Sequence, residues 1–108
     1  MDFEILLESE MVKLDLPNAT VRALRPRGLH VEGKPRVPEH WESLIEGACY
    51  AIELKDEIET VRQILRLTKR TWLPSGLIAV ELQREDWMDD PKKAGERLKE
   101  ELKKFAIK

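Results

Sequence analysis

Length, composition and charge set the first limits on this chain. It has 108 residues, of which 42% are hydrophobic and 37% are charged, and its formal net charge at pH 7 is −2. That size predicts one globular domain over residues 1–108. The near-neutral charge excludes a surface that is basic throughout, so any contact with nucleic acid would use a local patch. A surface this rich in charge is also typical of heat-adapted proteins.

Cysteine content and hydrophobicity bear on the cellular compartment. Cys49 is the single cysteine, so an internal disulfide is excluded and a reducing compartment is favoured. No apolar run approaches the length of about 18 residues that indicates a membrane helix. The chain begins with Met-Asp-Phe-Glu, which is acidic where a secretory signal is basic. We therefore expect a cytoplasmic protein without membrane contact.

The first sixteen residues predict two short strands. Residues 12–16 alternate apolar and polar side chains and end at the turn signal Pro17-Asn18. Residues 3–7 also alternate, although Phe3, Leu6, Leu7 and Leu14 equally fit one face of a helix. We favour the strand because the following segment alternates cleanly and ends sharply.

A hairpin and a helix are predicted next. Residues 20–24 and 28–32 indicate two strands joined across Pro26-Arg27-Gly28. A helix should begin at Pro38, where a proline costs no hydrogen bond. Its predicted apolar face consists of Trp41, Leu44, Ile45 and Ala48. Residues 48–54 fit either an extension of this helix or a separate strand, and we favour the strand.

The stretch from residue 48 to residue 82 organises the predicted fold. Residues 50–54 and 78–82 alternate as strands, and a helix over residues 57–70 is predicted between them. Asp56 and Glu59 match a capping box at its start. A strand-helix-strand unit in one sheet implies parallel strands and a right-handed crossover.

The last predicted element is a C-terminal helix. Asp89 or Asp90 should cap it, with Pro91 in its first turn. Its buried stripe is predicted to contain Ala94, Leu98, Leu102 and Phe105. The sequence thus predicts an α+β domain in which N-terminal antiparallel strands precede a strand-helix-strand-helix unit, with a single mixed sheet packed on helices.

Basic side chains gather in two segments and suggest an anion-binding face. The segment 22–36 carries five basic residues against one acid, Glu32, and a second group lies on the predicted helix 57–70. Arginine in particular matches phosphate by charge and by paired hydrogen bonds. The candidate residues for nucleic-acid or other polyanion binding are Arg22, Arg25, Arg27, Lys34, Arg36, Arg62, Arg66, Lys69 and Arg70.

A structural explanation of the same residues is equally open. Residues 37–60 carry seven acids against Lys55, so the adjacent basic and acidic segments can neutralise each other across the fold. Base-stacking aromatic side chains are scarce, and any nucleic-acid binding would depend on the phosphate backbone.

Trp87 and Met88 form a second candidate contact. They lie beside Asp86, Asp89 and Asp90, and an apolar tip in an acidic loop suits a basic protein partner. Packing within the core is the alternative for any tryptophan in this chain.

Catalytic and metal-binding patterns are not found in the sequence. His30, His40 and Cys49 lack the clustered spacing of zinc ligands, and no nucleophile motif or phosphate-binding glycine pattern occurs. We therefore predict no enzyme activity, no metal and no cofactor. The expected function is a non-catalytic interaction module that contacts a protein partner or a second copy of itself, with nucleic-acid binding as the alternative and a small enzyme as a third possibility.

Overall fold

The computed structural model describes residues 9–55 and 60–104. In these ranges six strands form one mixed sheet, so the predicted α+β class is confirmed. The elements are β1 (Met11–Asp15), β2 (Thr20–Leu24), β3 (Gly28–Gly33), α1 (Pro38–Glu42), β4 (Cys49–Lys55), β5 (Thr60–Trp72), β6 (Ile78–Gln83), a 3-10 helix (Asp86–Asp89) and α2 (Pro91–Lys104).

The strands lie in the order β1-β4-β5-β6-β3-β2. Only β1 and β4 run parallel, and every other neighbouring pair is antiparallel. The hairpin of β2 and β3 and the strands at β1, β4 and β6 occur where the sequence predicts them. The strand predicted over residues 3–7 lies outside the described residues. The prediction that the N-terminal strands are all antiparallel is wrong for β1, because β1 pairs parallel with β4.

The helix predicted over residues 57–70 is wrong over its described part, since residues 60–70 belong to the strand β5. It pairs antiparallel with both β4 and β6, so these two strands are not neighbours and the predicted parallel crossover is also wrong. The physical reason is burial on both faces. Ile64 and Leu65 are adjacent in sequence and both are buried, on opposite sides of the sheet. The sequence of a strand buried on both faces does not alternate between apolar and polar residues. Its apolar residues can therefore fall at helical spacing. The capping box at Asp56 and Glu59 lies outside the described residues.

The helix that begins at Pro38 is shorter than predicted, because it ends at Glu42. Residues beyond it turn back to start β4, with Gly47 at a φ of 91°. The backbone N–H of Ile45 donates to the Tyr50 hydroxyl at 2.8 Å, and the N–H of Gly47 donates to the Leu67 carbonyl at 2.7 Å. These hydrogen bonds form where the helix would otherwise continue, and residues 49–55 form a strand.

The sheet curls, so that the end of β1 and the start of β2 lie closer together than a flat sheet would place them. Flat, six strands would hold β1 and β2 about 24 Å apart, because neighbouring strands are about 4.8 Å apart. The chain from Asp15 to Thr20 reaches about 18 Å at most. Leu16, which follows β1, contacts the ends of β4 and β3: its N–H donates to the Lys55 carbonyl at 3.1 Å, and its Cγ lies 2.9 Å from where a Cβ on Gly33 would be. A glycine is therefore required at position 33.

The curled sheet encloses the main core on its inner face. Trp41 is 1% exposed and packs into this core from α1. Its carbonyl accepts a hydrogen bond from Arg70 Nη1 at 2.9 Å, as does the carbonyl of Leu44 from the same nitrogen. The core residues are Leu14, Leu16, Val31, Trp41, Leu44, Ile52, Leu54, Leu65, Leu67, Ile78, Val80 and Leu82.

Helix α2 covers part of the outer face of the sheet. Its buried Ala94 and Leu98 pack against Cys49, Ala51 and Ile64. The Asp90 carboxylate caps it by accepting the N–H of Lys92 at 3.0 Å, as one of the two predicted caps. Leu102 is half-buried against the same cluster, and Phe105 lies outside the described residues. Neither α1 nor α2 has the length and apolar character needed to cross a membrane, and no other helix among residues 9–55 and 60–104 does.

Candidate interaction surface

The predicted basic residues fall into two groups in the structure. Within the described part of the chain, Arg22, Arg25, Lys34 and Lys69 are exposed and form no ion pair. The others bind acidic side chains or backbone carbonyls of the same fold, and these are Arg27, Arg36, Arg62, Arg66 and Arg70. Five of the nine candidate residues thus have partners within the protein, and the polyanion interface stays a prediction.

Arg27 and Arg84 hold the 3-10 helix against the sheet. Arg27 pairs with Asp86 at 3.0 Å and with Asp89 at 2.7 Å, while Arg84 pairs with Asp89 at 3.1 Å. Hydrogen bonding by Arg27 lowers the pKa of Asp89 below its ordinary value, with Arg84 adding to the effect. Arg84 also donates to the carbonyls of Ile64 and Met88. The acidic loop is therefore already matched by arginines of the same chain.

Arg66 lies at the centre of an ion-pair cluster under α2. Its Nε and Nη2 donate to Glu85 at 2.9 Å and 3.0 Å, and Nη2 also donates to Glu101 at 3.1 Å. Nη1 donates to the Gly47 carbonyl at 2.8 Å. The Arg66 side chain is 19% exposed and that of Glu101 is 7% exposed. The cluster joins β5, the loop after β6 and α2.

The pKa shifts in this cluster follow from its geometry. The hydrogen bond from Arg66 lowers the pKa of Glu85, and the pKa of Arg66 is raised in turn. Burial raises the pKa of the neighbouring Cys49 thiol to about 12. A buried thiol with a raised pKa stays protonated at neutral pH, and a protonated thiol is a weak nucleophile.

Trp87 and Met88 pack between the sheet and α2. Met88 is 3% exposed and belongs to the core under the helix. Trp87 is half-buried, its Nε1 donates to Glu85 at 2.6 Å, and Arg97 lies 5.1 Å from its ring centroid. A partner contact by this pair stays a prediction, and only Trp87 retains exposed surface for it.

A polar row crosses the outer face that α2 leaves open. Strand register aligns Arg22 with His30, His30 with Glu81, and Glu81 with Lys69. His30 Nδ1 is buried without a hydrogen-bond partner, and Nε2 lies 3.5 Å from Glu32. Across residues 9–55 and 60–104, His, Cys, Asp and Glu side chains nowhere group in the way a metal ion requires.

The outer edge of β2 has no strand paired to it within residues 9–55 and 60–104. Arg84 N–H donates to the Arg27 carbonyl, which sets the alternation of bonds across β3. In that alternation Arg22 bonds to β3, while Val21 and Ala23 direct their N–H and C=O groups away from the sheet. Arg22 and Ala23 are exposed. Two donors and two acceptors therefore line an edge flanked by two arginines, Arg22 and Arg25.

The other edge strand, β1, is bordered by the segment that contains α1. Asp15 at the end of β1 pairs with Arg36 at 3.1 Å. A cavity of about 260 Å³ between Lys13 and Asp15 on one side and His40 and Trp41 on the other marks this border. β2 has no such neighbour in the described part of the chain, so the two edges differ in access.

A cavity of about 320 Å³ opens beside the end of β2. Ala23 and Leu29, which are partners in the strand register, form one wall, and Gln63 and Leu65 lie opposite. These side chains point to the inner face of the sheet, where Leu65 is part of the core. A larger cleft of about 400 Å³ at the start of β2 is lined by Glu32, Lys34 and Arg36. Arg36 is engaged by Asp15, and the remaining two charges have opposite signs.

Comparison of this chain with protein-family models, with curated proteins and with solved structures finds no match. Sequence reasoning missed the roles of Arg84, Glu85 and Glu101, which organise the cluster under α2. The residues that meet Arg66 are 19 and 35 positions away along the chain. No local pattern signals such a contact.

Proposed function

We propose that this chain is a non-catalytic interaction module that binds an extended, acidic segment of another protein along the outer edge of β2. The single observation that supports this is the edge itself, where the backbone groups of Val21 and Ala23 face outward beside Arg22 and Arg25. Main-chain pairing supplies affinity when a strand is added to a sheet edge, and charged side chains select the partner. Arg22 and Arg25 favour a partner with glutamate or aspartate.

Charge favours a different protein over a second copy. Strand β2 contains no acidic residue, and Arg25 follows it directly. Antiparallel pairing of β2 with itself would bring Arg22 and Arg25 of both copies together, and like charges facing each other destabilise a sheet. Self-association by this edge is therefore disfavoured, and light scattering is expected to give the 12.6 kDa monomer.

Polyanion binding, the alternative predicted from residues 22–36, has weaker support. The four candidate cations that form no ion pair with a described residue lie on separate parts of the fold, since Lys34 follows β3 and Lys69 lies on β5. Arg22 and Lys69 are three strands apart, which corresponds to about 14 Å. A phosphate backbone could pair with both Arg22 and Lys69, whereas an added strand beside β2 would contact Arg22 but not Lys69.

The proposal is tested with a short fluorescent peptide in which glutamate alternates with apolar residues. Anisotropy titrations are made with the wild type and with Arg22→Glu, which we expect to bind about tenfold more weakly. Ala23→Pro removes one outward N–H without removing a bond to β3, so it should also weaken binding. Lys69→Glu makes the same charge change on the same face and serves as the matched control.

The outcomes separate the two ligand classes. Binding that is lost in Arg22→Glu and Ala23→Pro but kept in Lys69→Glu supports strand addition. Equal losses in Arg22→Glu and Lys69→Glu, with a steep dependence on salt, would instead support a polyanion. No binding of the peptide by the wild type at low salt would overturn the proposal.

A further inference from the structure

We infer that the partner segment alternates acidic with apolar residues and inserts one apolar side chain into the cavity bounded by Ala23, Leu29 and Leu65. This inference rests on the proposed function, because it assigns the chemistry of the segment that β2 would bind. The partner would thus be bound by a side-chain site as well as by main-chain hydrogen bonds. The site and the edge are adjacent, since Ala23 belongs to both.

The register fixes which side of an added strand meets the cavity. Side chains along a strand alternate between the two faces of a sheet. Val21 and Ala23 are aligned with Val31 and Leu29 of β3, and Val31 is part of the inner core. Residues of the partner opposite Val21 and Ala23 therefore point to the inner face, and the residue opposite Arg22 points to the outer face. An acidic residue beside Arg22 would thus have apolar neighbours in sequence.

The lining of the cavity selects an apolar occupant. Ala23 is small and exposed, so it leaves space beside Leu29, and Leu65 closes the cavity from the opposite wall. The two cations at its rim are Arg27 and Arg84, and both are engaged by Asp89. A charged occupant would have to compete with that pairing, whereas an apolar occupant displaces water from the apolar side chains of Ala23, Leu29 and Leu65.

The outer face of the sheet favours acidic residues of the partner segment. Beside Arg22 lies His30, and the row continues through Glu81 to Lys69, all of them polar. No apolar side chain of this row offers a surface for burial. Acidic residues of the segment therefore belong on this face, and apolar residues belong on the inner one.

The inference is tested with two peptides of equal charge, one alternating glutamate with leucine and the other alternating glutamate with serine. We expect the leucine peptide to bind the wild type about tenfold more tightly, because it buries apolar surface in the cavity. Ala23→Leu fills the cavity and should remove this difference between the peptides. Ala79→Leu makes the same change on the outer face of β6 and should preserve the difference. Gln63→Phe fills the cavity from its opposite wall and is a second variant should Ala23→Leu fail to fold.

The results distinguish this inference from the proposed function. A preference for leucine that disappears in Ala23→Leu or Gln63→Phe, but not in Ala79→Leu, supports the inserted side chain. Equal binding of both peptides by the wild type would overturn the inference and leave strand addition intact. Binding of neither peptide would overturn both.

Discussion

Arg66 and Arg22 occupy the same outer face of one sheet but have opposite surroundings. Arg66 lies under α2, where Glu85, Glu101 and the Gly47 carbonyl accept its hydrogen bonds. Arg22 lies where none of the described helices covers the sheet, and it forms no ion pair with a described residue. The difference shows that a basic side chain on a strand does not by itself mark a ligand site. What covers the strand decides whether the charge stabilises the fold or remains for a partner.

The largest expected effect on stability comes from replacing the covered arginine, Arg66. Arg66→Met leaves Glu85 and Glu101 without their main partner in a poorly solvated place, so it should lower the free energy of unfolding by about 2 kcal/mol. Urea unfolding monitored by tryptophan fluorescence measures this. Lys69→Met makes the same change on the exposed part of β5 and should stay within about 0.5 kcal/mol of the wild type.

A double variant tests whether the loss of stability comes from the unpaired carboxylates. Arg66→Met combined with Glu101→Leu removes a carboxylate that the single variant leaves unpaired, and it should recover part of the lost stability. Equal effects of Arg66→Met and Lys69→Met would contradict the view that the covered arginine is structural.

The pH dependence of stability should show a smaller effect from the same cluster. The pKa of Glu85 is lowered from its ordinary value of 4.5 mainly by its hydrogen bond with Arg66. The folded state therefore binds this proton less readily than the unfolded state does, and the stabilisation is present above pH 4.5 and lost as the pH falls through the lower, folded pKa. Urea midpoints measured across this range should fall less steeply for Glu85→Gln than for the wild type. Parallel curves would show that Glu85 contributes no pH-dependent stability.

Much of the fold could be predicted from local patterns. The β2–β3 hairpin, the strands at β4 and β6 and the capped helix α2 each depend on residues close together in sequence, such as Asp90 and Pro91. The prediction failed at β5, because α2 buries Ile64 on one face while the inner core buries Leu65 on the other. Covering by a distant helix is a tertiary effect, and it removes the alternation by which a strand is recognised.

The candidate surface was predicted only in part. Arg22 and Arg25 were among the basic candidates, but composition could not separate them from Arg27 and Arg66, which have carboxylate partners elsewhere in the chain. The order of strands leaves β2 at an edge, and that order depends on β1 pairing with β4. Neither the edge nor the cavity beside Ala23 has a signature in the sequence of β2 alone.

Amide hydrogen exchange followed by NMR tests the open edge of β2 most directly. The N–H groups of Val21 and Ala23 should exchange at least about tenfold faster than those of Arg22 and Leu24, which bond to β3. Addition of the acidic peptide should slow the exchange of Val21 and Ala23 specifically. Protection of all four amides alike in the free protein would show that the edge is already covered and would contradict the account.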